Sequence, residues 1–516
     1  MNAYEEHADE DEQRQPLMMG SGAKVGVSAP SMSNAQTLRP AGSGETASTR
    51  GLTRTISGRL STHSQVKFKV YKRRFFGLFQ LVLLNIVVSW DWIAFAPVSS
   101  TAAAYFNTTE SAINWLSTAF LFAFVVATPF TFWALSKHGP KTSIIISSCL
   151  LLVGNWIKFA GAKSNIFGVV MFGQLLIGFA QPFVLAAPTT YSDLWFSASG
   201  RTTATALASL SNPFGAALGQ LISPFWVTTP AEIPYSVLWV SIIATVAAVP
   251  SFFIPRKPPS PPAPNMEMLL AADHPSANSI KHDLHVLASS VEFWLVFIPF
   301  AVYVGFFNAF SSLLNQILEP YGFSEDDAGI AGAVLIVVGL VTAAITSPLN
   351  DKYKFYLWFI RAAVPTIAVM YLIFIFAPPT SSIPYVYVVC ALLGAASFGL
   401  VPVVLEFLVE ILHPTSPSVS SSLCWSGGQL LGGIFIVVMD ALKSGDEGRP
   451  PANMHRALIF QAVVALIVMP LPLCLGFFGR KGMVRLKRWE NEQASATERD
   501  RDLHADDMES ADTLGS

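Results

Sequence analysis

Charged residues are scarce in this sequence. Of its 516 residues, 13% are Asp, Glu, Lys or Arg and 52% are hydrophobic, whereas soluble chains carry about a quarter charged residues. The net charge of −2 gives no reason to expect a nucleic-acid partner. Cysteine is scarce too, and its four positions all lie in apolar runs, which indicates packing rather than disulfides. They are Cys149, Cys390, Cys424 and Cys474.

Several motifs are also missing. The sequence has no Gly-x-x-x-x-Gly-Lys-Ser/Thr segment, so nothing points to direct use of ATP. No nucleophile–base or metal-ligand group lies within the apolar runs, so we expect no enzyme activity, cofactor or metal. No early apolar core follows a basic stretch, which argues against a cleaved signal peptide.

Long apolar runs are what the sequence does have. They are about 18–25 residues long, lack strand-like alternation and therefore predict transmembrane helices. We count twelve spans: 75–98, 112–135, 142–161, 166–190, 202–226, 234–254, 291–317, 328–349, 356–377, 384–411, 419–442 and 455–478. The sequence thus predicts an all-α polytopic membrane protein with two six-helix halves.

The polar segments divide the chain into five parts. We expect a disordered N-terminal tail over 1–72, one half over 73–254, a linker over 255–290, the second half over 291–479 and a C-terminal tail over 480–516. Within the linker, "SIKHDLHVLASS" predicts a short amphipathic helix lying against the membrane.

Lysine and arginine indicate the orientation. They cluster on one side, in the loops that carry Lys137, Lys141, Arg201, Arg256, Lys257, Lys352 and Lys354. The positive-inside rule therefore predicts that both termini are cytoplasmic. The glycosylation sequon at Asn107 then falls in the first external loop. We expect a monomer in the plasma membrane, with the vacuolar or lysosomal membrane as the alternative.

Twelve helices in two six-helix halves, joined by a cytoplasmic linker, are typical of the major facilitator superfamily. The fifth and eleventh spans read "LASLSNPFGAALGQ" and "SSSLCWSGGQLLGG". Small residues of this kind are expected where membrane helices approach closely. This layout favours a secondary transporter with a cavity between the halves.

Longer segments point to a narrower group. "DWIAFAPVSS", "INWLSTAFLFAFVVATPFTFWAL", "GQLLIGFAQPFVLAAPTTYSDLWF", "RTTATALASLSNPFGAALGQLISP" and "FNAFSSLLNQIL" resemble the feline leukaemia virus subgroup C receptor-related transporters, solute carrier family 49. The likeness covers essentially all twelve spans and is nearest to the less-studied branch whose first span reads W-x-x-F-A-P-V. It implies the major facilitator fold, and a substrate such as haem, choline or ethanolamine.

The resemblance also implies site residues. In choline-binding relatives a quaternary ammonium group lies in an aromatic cage near a glutamine, and the matching positions here are Trp92, Gln181 and Gln429. A tyrosine of that cage is replaced by Asn308, which weakens the case for choline. Asn212 is a further amide at membrane depth. Each amide could instead make an interhelical hydrogen bond, and Trp92 could be a packing residue.

Ionisable residues inside apolar spans are expected to face a cavity or a partner. Glu406 and Glu410 share one face of the tenth span, where they either pair with Arg201 as a gate or couple transport to protons. Asp91 lies beside Trp92, and both can border one cavity only if it is wide, because successive helix residues point about 100° apart. A carboxylate buried in this way suits a proton carrier.

The positions of the histidines bear on haem as a possible substrate implied by the resemblance. Haem iron is held by an axial His, Cys, Met or Tyr, and none of the nine histidines lies in the interior of a predicted span. The leading hypothesis is therefore a secondary active transporter that moves a small organic cation or amphipathic solute by alternating access, with protons as a candidate coupling ion. The alternatives are a haem exporter of the same family and a transporter-derived receptor or nutrient sensor.

Overall fold

The structure is a computed structural model that describes residues 71–196, 198–259, 277–413, 415–476, 485–487 and 490. The predicted N-terminal tail up to residue 70, the centre of the linker and most of the C-terminal tail lie outside these residues. The described chain consists of α-helices with short 3-10 turns. Apolar runs of this length become helices because a helix satisfies its own backbone hydrogen bonds in lipid.

Eight helices build the first half. They are α1 (Arg73–Ile93), α2 (Ser99–Phe106), α3 (Glu110–His138), α4 (Pro140–Lys163), α5 (Phe167–Leu185), α6 (Ala187–Trp195), α7 (Ala198–Trp226) and α8 (Ile233–Ala248). The linker contributes α9 (Ala277–Ser289), which confirms the helix predicted there.

Seven helices build the second half. They are α10 (Val291–Leu318), α11 (Glu325–Tyr353), α12 (Tyr356–Phe374), α13 (Ile383–Leu412), α14 (Pro417–Ala441), α15 (His455–Val468) and α16 (Pro470–Leu473). Among the described residues, 11 segments are long and apolar enough to cross a membrane. The helix α7 is not among them, but it is 29 residues long and takes the place of the predicted fifth span.

Three of the predicted spans are not continuous helices. The first span breaks over Ala94–Val98, which contains Pro97, and resumes as α2. The fourth span breaks at Ala186 and the twelfth at Met469, in each case just before a proline of the next helix. Proline has no backbone N–H and its ring clashes with the preceding turn, so it interrupts the helical hydrogen bonds.

The halves meet where α7 packs against α11 and α3 packs against α14. The small residues predicted at close helix contacts are where they were expected. A Cβ atom added to Gly215 of α7 would lie 2.0 Å from the carbonyl oxygen of Ile86 in α1.

We call the side of the bundle where α1 begins the terminal side, and the opposite side, which carries the α2–α3 connection, the distal side.

Candidate functional site

Trp92 lies in the last turn of α1, directly before the break in the first span. Its side chain is 5% exposed, and its indole Nε1 has no hydrogen-bond partner among the described residues. The Trp92 carbonyl accepts from the Ser117 hydroxyl of α3 at 3.5 Å. A buried indole N–H normally has a partner, so this donor is available to a ligand.

Two contacts set the alignment of the antiparallel helices α1 and α5. The Gln174 side chain donates to the Asp91 carbonyl at 2.8 Å, and the Asn85 side chain donates to the Val184 carbonyl at 3.1 Å. Gln181 lies between these contacts, on the terminal side of Trp92. Since helical side chains lean toward the helix N-terminus, the Trp92 indole is directed to the same level. The buried Gln181 Oε1 also has no partner among the described residues.

The second half contributes a pair of amides. Asn308 Nδ2 of α10 donates to Gln429 Oε1 of α14 at 3.0 Å, and both side chains are buried. A Cβ atom added to Gly432 would lie 2.8 Å from Asn308 Nδ2 and 3.2 Å from Leu121 of α3. Leu121 is one turn along α3 from Ser117, the residue that contacts Trp92. The helix α3 therefore contacts the Trp92 backbone through Ser117 and, one turn further along, lies beside the amide pair through Leu121.

Asn212 of α7 lies on the other side of α1. Its side chain donates to the Asn85 carbonyl at 3.4 Å. Asn85 is fully buried and its Oδ1 has no partner among the described residues. Asn85 was not among the residues predicted from the sequence, although it is seven residues before Trp92 and so lies on the same helix face.

Of the two alternatives expected for Asp91, a cavity or a partner, the structure shows a partner. Asp91 is 0% exposed and forms an ion pair with Lys158 of α4, a residue that is 1% exposed. Asn155 of α4 donates to the second carboxylate oxygen at 2.8 Å, and Lys158 lies 3.4 Å from the Gln174 side-chain oxygen. Because adjacent helix residues diverge by about 100°, Asp91 faces α4 and α5 while Trp92 contacts α3.

Lys158 was missed by the sequence analysis. The available signal was a lysine inside the third apolar run, in "NWIKFAG". A buried charge needs a partner of opposite sign because its desolvation is costly. A lone acid in one span and a lone base in another are therefore a pairing signal.

The other predicted charged residues lie toward the terminal side. Glu410 is buried and Glu406 is half-buried in the last turns of α13. The side chain of Arg201 lies outside the described residues, so its predicted pairing with these glutamates stays a prediction. Asn107 is exposed in the α2–α3 turn, where a sequon is accessible.

Comparison with known proteins shows to which family this chain belongs. Residues 81–437 match the Major Facilitator Superfamily. The chain is 32% identical over 392 residues to solute carrier family 49 member A3 of Danio rerio, covering 74% of this chain and 81% of that protein. The chain belongs to solute carrier family 49.

Two further members of solute carrier family 49 match at lower identity. The choline/ethanolamine transporter FLVCR1 of Mus musculus is 28% identical over 74% of this chain and 72% of its own length. The choline/ethanolamine transporter FLVCR2 of Homo sapiens is 26% identical over 77% of each chain. This member of the family is thus a secondary transporter for a small molecule in a membrane and not an enzyme.

Solved structures agree with the fold. A bacterial homolog of the human lysosomal transporter Spinster, in an inward-facing and unoccupied conformation, matches with a TM-score of 0.60 at 15% identity, covering 78% of this chain and 97% of that one. A D-xylose-proton symporter matches with a TM-score of 0.56 at 15% identity, covering 76% and 97%. The predicted major facilitator fold is therefore confirmed.

Proposed function

We propose that this solute carrier family 49 member moves a small organic cation that carries N–H donors and an oxygen, by alternating access around Trp92. The observation that carries the proposal is a set of three buried polar atoms on α1 and α5 that have no hydrogen-bond partner among the described residues: Trp92 Nε1, Gln181 Oε1 and Asn85 Oδ1. Buried polar groups in proteins are nearly always satisfied. Two free acceptors and one free donor complement a primary ammonium group and an oxygen on the same ligand.

Choline fits this set less well than ethanolamine. A quaternary ammonium group has no N–H to give to Gln181 or Asn85 and is held by aromatic faces instead. Where relatives have a cage tyrosine, this chain has Asn308, whose amide is engaged with Gln429. A site built around hydrogen bonds discriminates against analogues that cannot make them.

The test is uptake and efflux in proteoliposomes at two pH values with choline, ethanolamine, pyridoxine and haem. We expect ethanolamine to be carried better than choline. Trp92→Ala should abolish transport, and Trp92→Phe should keep part of it because a ring face survives. Trp156→Phe is the control, because the Trp156 indole N–H already donates to the Thr245 hydroxyl at 3.0 Å. Choline carried in preference to ethanolamine would contradict the proposal.

Protons are the proposed coupling ion. The pairing of Asp91 with Lys158 gives Asp91 a contact inside the first half, so Glu406 and Glu410 of α13 become the alternatives for a coupling or gating role. Asp91→Asn should remove the pH dependence of transport if Asp91 carries the proton. If a transport-competent Asp91→Asn protein keeps that dependence, Glu406 is the next residue to replace.

The proposed orientation places both termini in the cytoplasm, the distal side outside and a glycan on Asn107. A reporter after Ser516 and one near Pro262 should read cytoplasmic, whereas a tag near Thr109 should be external. Treatment with an N-glycosidase should increase the gel mobility of the wild-type protein and leave Asn107→Gln unchanged. Opposite readings for Ser516 and Pro262 would contradict the twelve-span topology.

A further inference from the structure

The start of α2 carries three hydroxyl side chains, and all three are bonded to the second half of the molecule. They belong to Ser99, Ser100 and Thr101, which we call the hydroxyl triplet. The Ser99 hydroxyl accepts from Asn315 Nδ2 of α10 at 3.2 Å. The Ser100 and Thr101 hydroxyls donate to the Glu325 carboxylate of α11 at 2.7 Å and 3.1 Å. The first span therefore reaches across to the second half at this point.

The opposite end of α2 is held by the first half. The Tyr105 hydroxyl donates to the Ala162 carbonyl of α4 at 2.8 Å. The Phe106 ring lies edge-on to the Phe167 ring of α5, with centroids 5.7 Å apart, and Phe106 belongs to an apolar cluster whose members all come from the first half. The helix α2 thus bridges the halves, because its body packs in the first and its start is bonded to the second.

Glu325 also supplies a bond that α2 lacks within its own segment. The first N–H groups of a helix have no intrahelical partner, and a polar side chain at the N-cap normally satisfies one of them. The residue before α2 is Val98, whose side chain forms no capping bond. The Thr101 N–H donates instead to the Glu325 carboxylate at 3.3 Å. A carboxylate of the second half therefore caps a helix of the first.

The negative charge of Glu325 suits this position. Glu325 is the first residue of α11, so its carboxylate lies between the N-termini of two helices, α11 and α2. A helix N-terminus carries about half a positive charge and favours a carboxylate beside it. In the part of the chain that the structure describes, no lysine or arginine forms an ion pair with Glu325. The start of α2 is therefore its positive partner from the other half, and the contact requires that the halves stay together.

The halves also meet elsewhere at this level, between Trp92 and the distal surface. Asn114 of α3 and Gln316 of α10 exchange side-chain hydrogen bonds at 2.7 Å and 3.3 Å. The break of the first span, Ala94–Val98, separates the hydroxyl triplet from Trp92. A solute that enters from the distal side must pass this layer of contacts to reach Trp92.

We propose that Glu325 is the latch of the distal gate. It caps α2 while the distal side is closed, and it loses its three bonds to Ser100 and Thr101 when the halves separate there. The helix α2 moves with the first half, because its body is packed there, so opening leaves the Thr101 N–H uncapped. The contact therefore favours the distal-closed state. This inference rests on the proposed alternating-access function and concerns the gate rather than the substrate.

The test measures how often the gate opens, without any substrate. Ser312→Cys places a thiol on the face of α10 that carries Asn308 and Gln316, at a residue that is 2% exposed. Iodoacetamide reacts with this thiol only after the gate has opened, so the reaction rate follows the open population. The reagent is uncharged, so the loss of a carboxylate does not change its approach.

The protein is purified in nanodiscs, and each modified cysteine is identified by mass spectrometry. The exposed Cys149 and Cys474 are first replaced by serine. Cys390, which is buried in α13, is the internal control, because its thiol reacts only when the second half unfolds. A change at Ser312→Cys without a change at Cys390 therefore reports the gate.

Glu325→Ala should accelerate the modification of Ser312→Cys by about tenfold or more, the factor expected for a hydrogen bond to a charged group. The rate at Cys390 should not change. Glu325→Gln keeps an acceptor oxygen but loses the charge, so its acceleration should be smaller. Asp326→Asn is the matched control, since Asp326 is an exposed carboxylate on the same turn, and it should react at the wild-type rate.

A second variant removes the other side of the contact. Ser100→Ala combined with Thr101→Val eliminates both hydroxyls and should also accelerate the reaction, which keeps the test available if Glu325→Ala does not fold. Adding these two changes to Glu325→Ala should give no further acceleration, because residues that act through one contact are not additive.

Three results would overturn the inference. The first is a Glu325→Ala protein, or a protein without both hydroxyls, that reacts no faster than the wild type at Ser312→Cys. The second is an equal acceleration at Cys390, and the third is a combined variant in which the two accelerations multiply. Each result concerns the gate alone. The proposed substrate class fails by a separate measurement, the comparison of ethanolamine with choline in transport assays.

Discussion

The two halves of this transporter bury different chemistry at corresponding places. In the first half, Asp91 and Lys158 form an ion pair that is almost completely hidden from solvent and is completed by Asn155 and Gln174. In the second half, one buried face of α10, which carries Phe306 and Phe310, is aromatic. Phe306 stacks on Phe435 with ring centroids 4.2 Å apart and an interplanar angle of 17°.

The difference follows from the first helix of each half. The span of α1 breaks after Ile93, whereas α10 runs unbroken from Val291 to Leu318. The last carbonyls of a helix lack intrahelical partners, and Gln174 satisfies one of them by donating to the Asp91 carbonyl. We infer that the polar network holds the break in place, whereas aromatic packing suffices for a continuous helix.

The largest effect on stability is expected from Lys158→Met. The substitution leaves Asp91 charged, buried and without its cationic partner, which costs about 3–5 kcal/mol. The apparent melting temperature in detergent should fall steeply. Asp91→Leu combined with Lys158→Met removes both charges and should recover most of the loss. A single variant as stable as the wild type would show that the pair does not support the first half.

A smaller effect is expected from Gln174→Leu. The Asp91 carbonyl then loses its donor, and a buried unsatisfied polar group costs about 1–3 kcal/mol. Gln181→Leu is the matched control on the same helix face, because Gln181 Oε1 has no hydrogen-bond partner in the part of the chain that the structure describes. We expect Gln174→Leu to lower stability more than transport, and Gln181→Leu to do the reverse. Thermal unfolding and ethanolamine uptake, measured on both variants, test this expectation. The opposite ranking of the two variants would contradict it.

A still smaller effect is expected in the aromatic half from Phe306→Leu. The leucine keeps most of the apolar volume but loses the stacking with Phe435, a term of about 0.5–1.5 kcal/mol. Transport should be retained because the rings that Phe306 contacts, Tyr371, Phe435 and Phe460, all lie within the second half. An uptake loss as large as that of Trp92→Ala would mean that the second half depends on directional contacts too.

Much of the fold could be predicted because it follows from length and hydrophobicity. The bounds of the predicted seventh span, 291–317, differ by one residue from those of α10, Val291–Leu318. The breaks could not be predicted in the same way. Pro299 lies within the unbroken α10, whereas Pro97 lies in the break of the first span, so the effect of a proline depends on the neighbouring helices as well as on the local sequence.

The candidate site could be predicted only in part. Resemblance to relatives and residue type pointed to Trp92, Gln181, Asn308 and Gln429, and the structure brings Asn308 and Gln429 into contact. The pairing of Asp91 with Lys158 had a signal in the sequence, a lone acid and a lone base in apolar runs, but the direction of the Asp91 side chain did not, because it depends on how α1 rotates against α4. Helix rotation comes from three-dimensional packing, which no single span encodes.

The smallest effect on stability, and the sharpest on selectivity, is expected at Asn308. Hydrogen bonds between membrane helices contribute only about 0.6 kcal/mol on average, so losing the Asn308–Gln429 bond should barely change the melting temperature. Asn308→Tyr, however, restores the aromatic wall of the choline-binding relatives and frees the Gln429 oxygen, so it should raise choline uptake relative to ethanolamine. Asn308→Leu, which removes the bond without adding an aromatic face, is the control and should not favour choline. If both variants change the ratio of choline to ethanolamine equally, the loss of the amide pair rather than the ring sets selectivity.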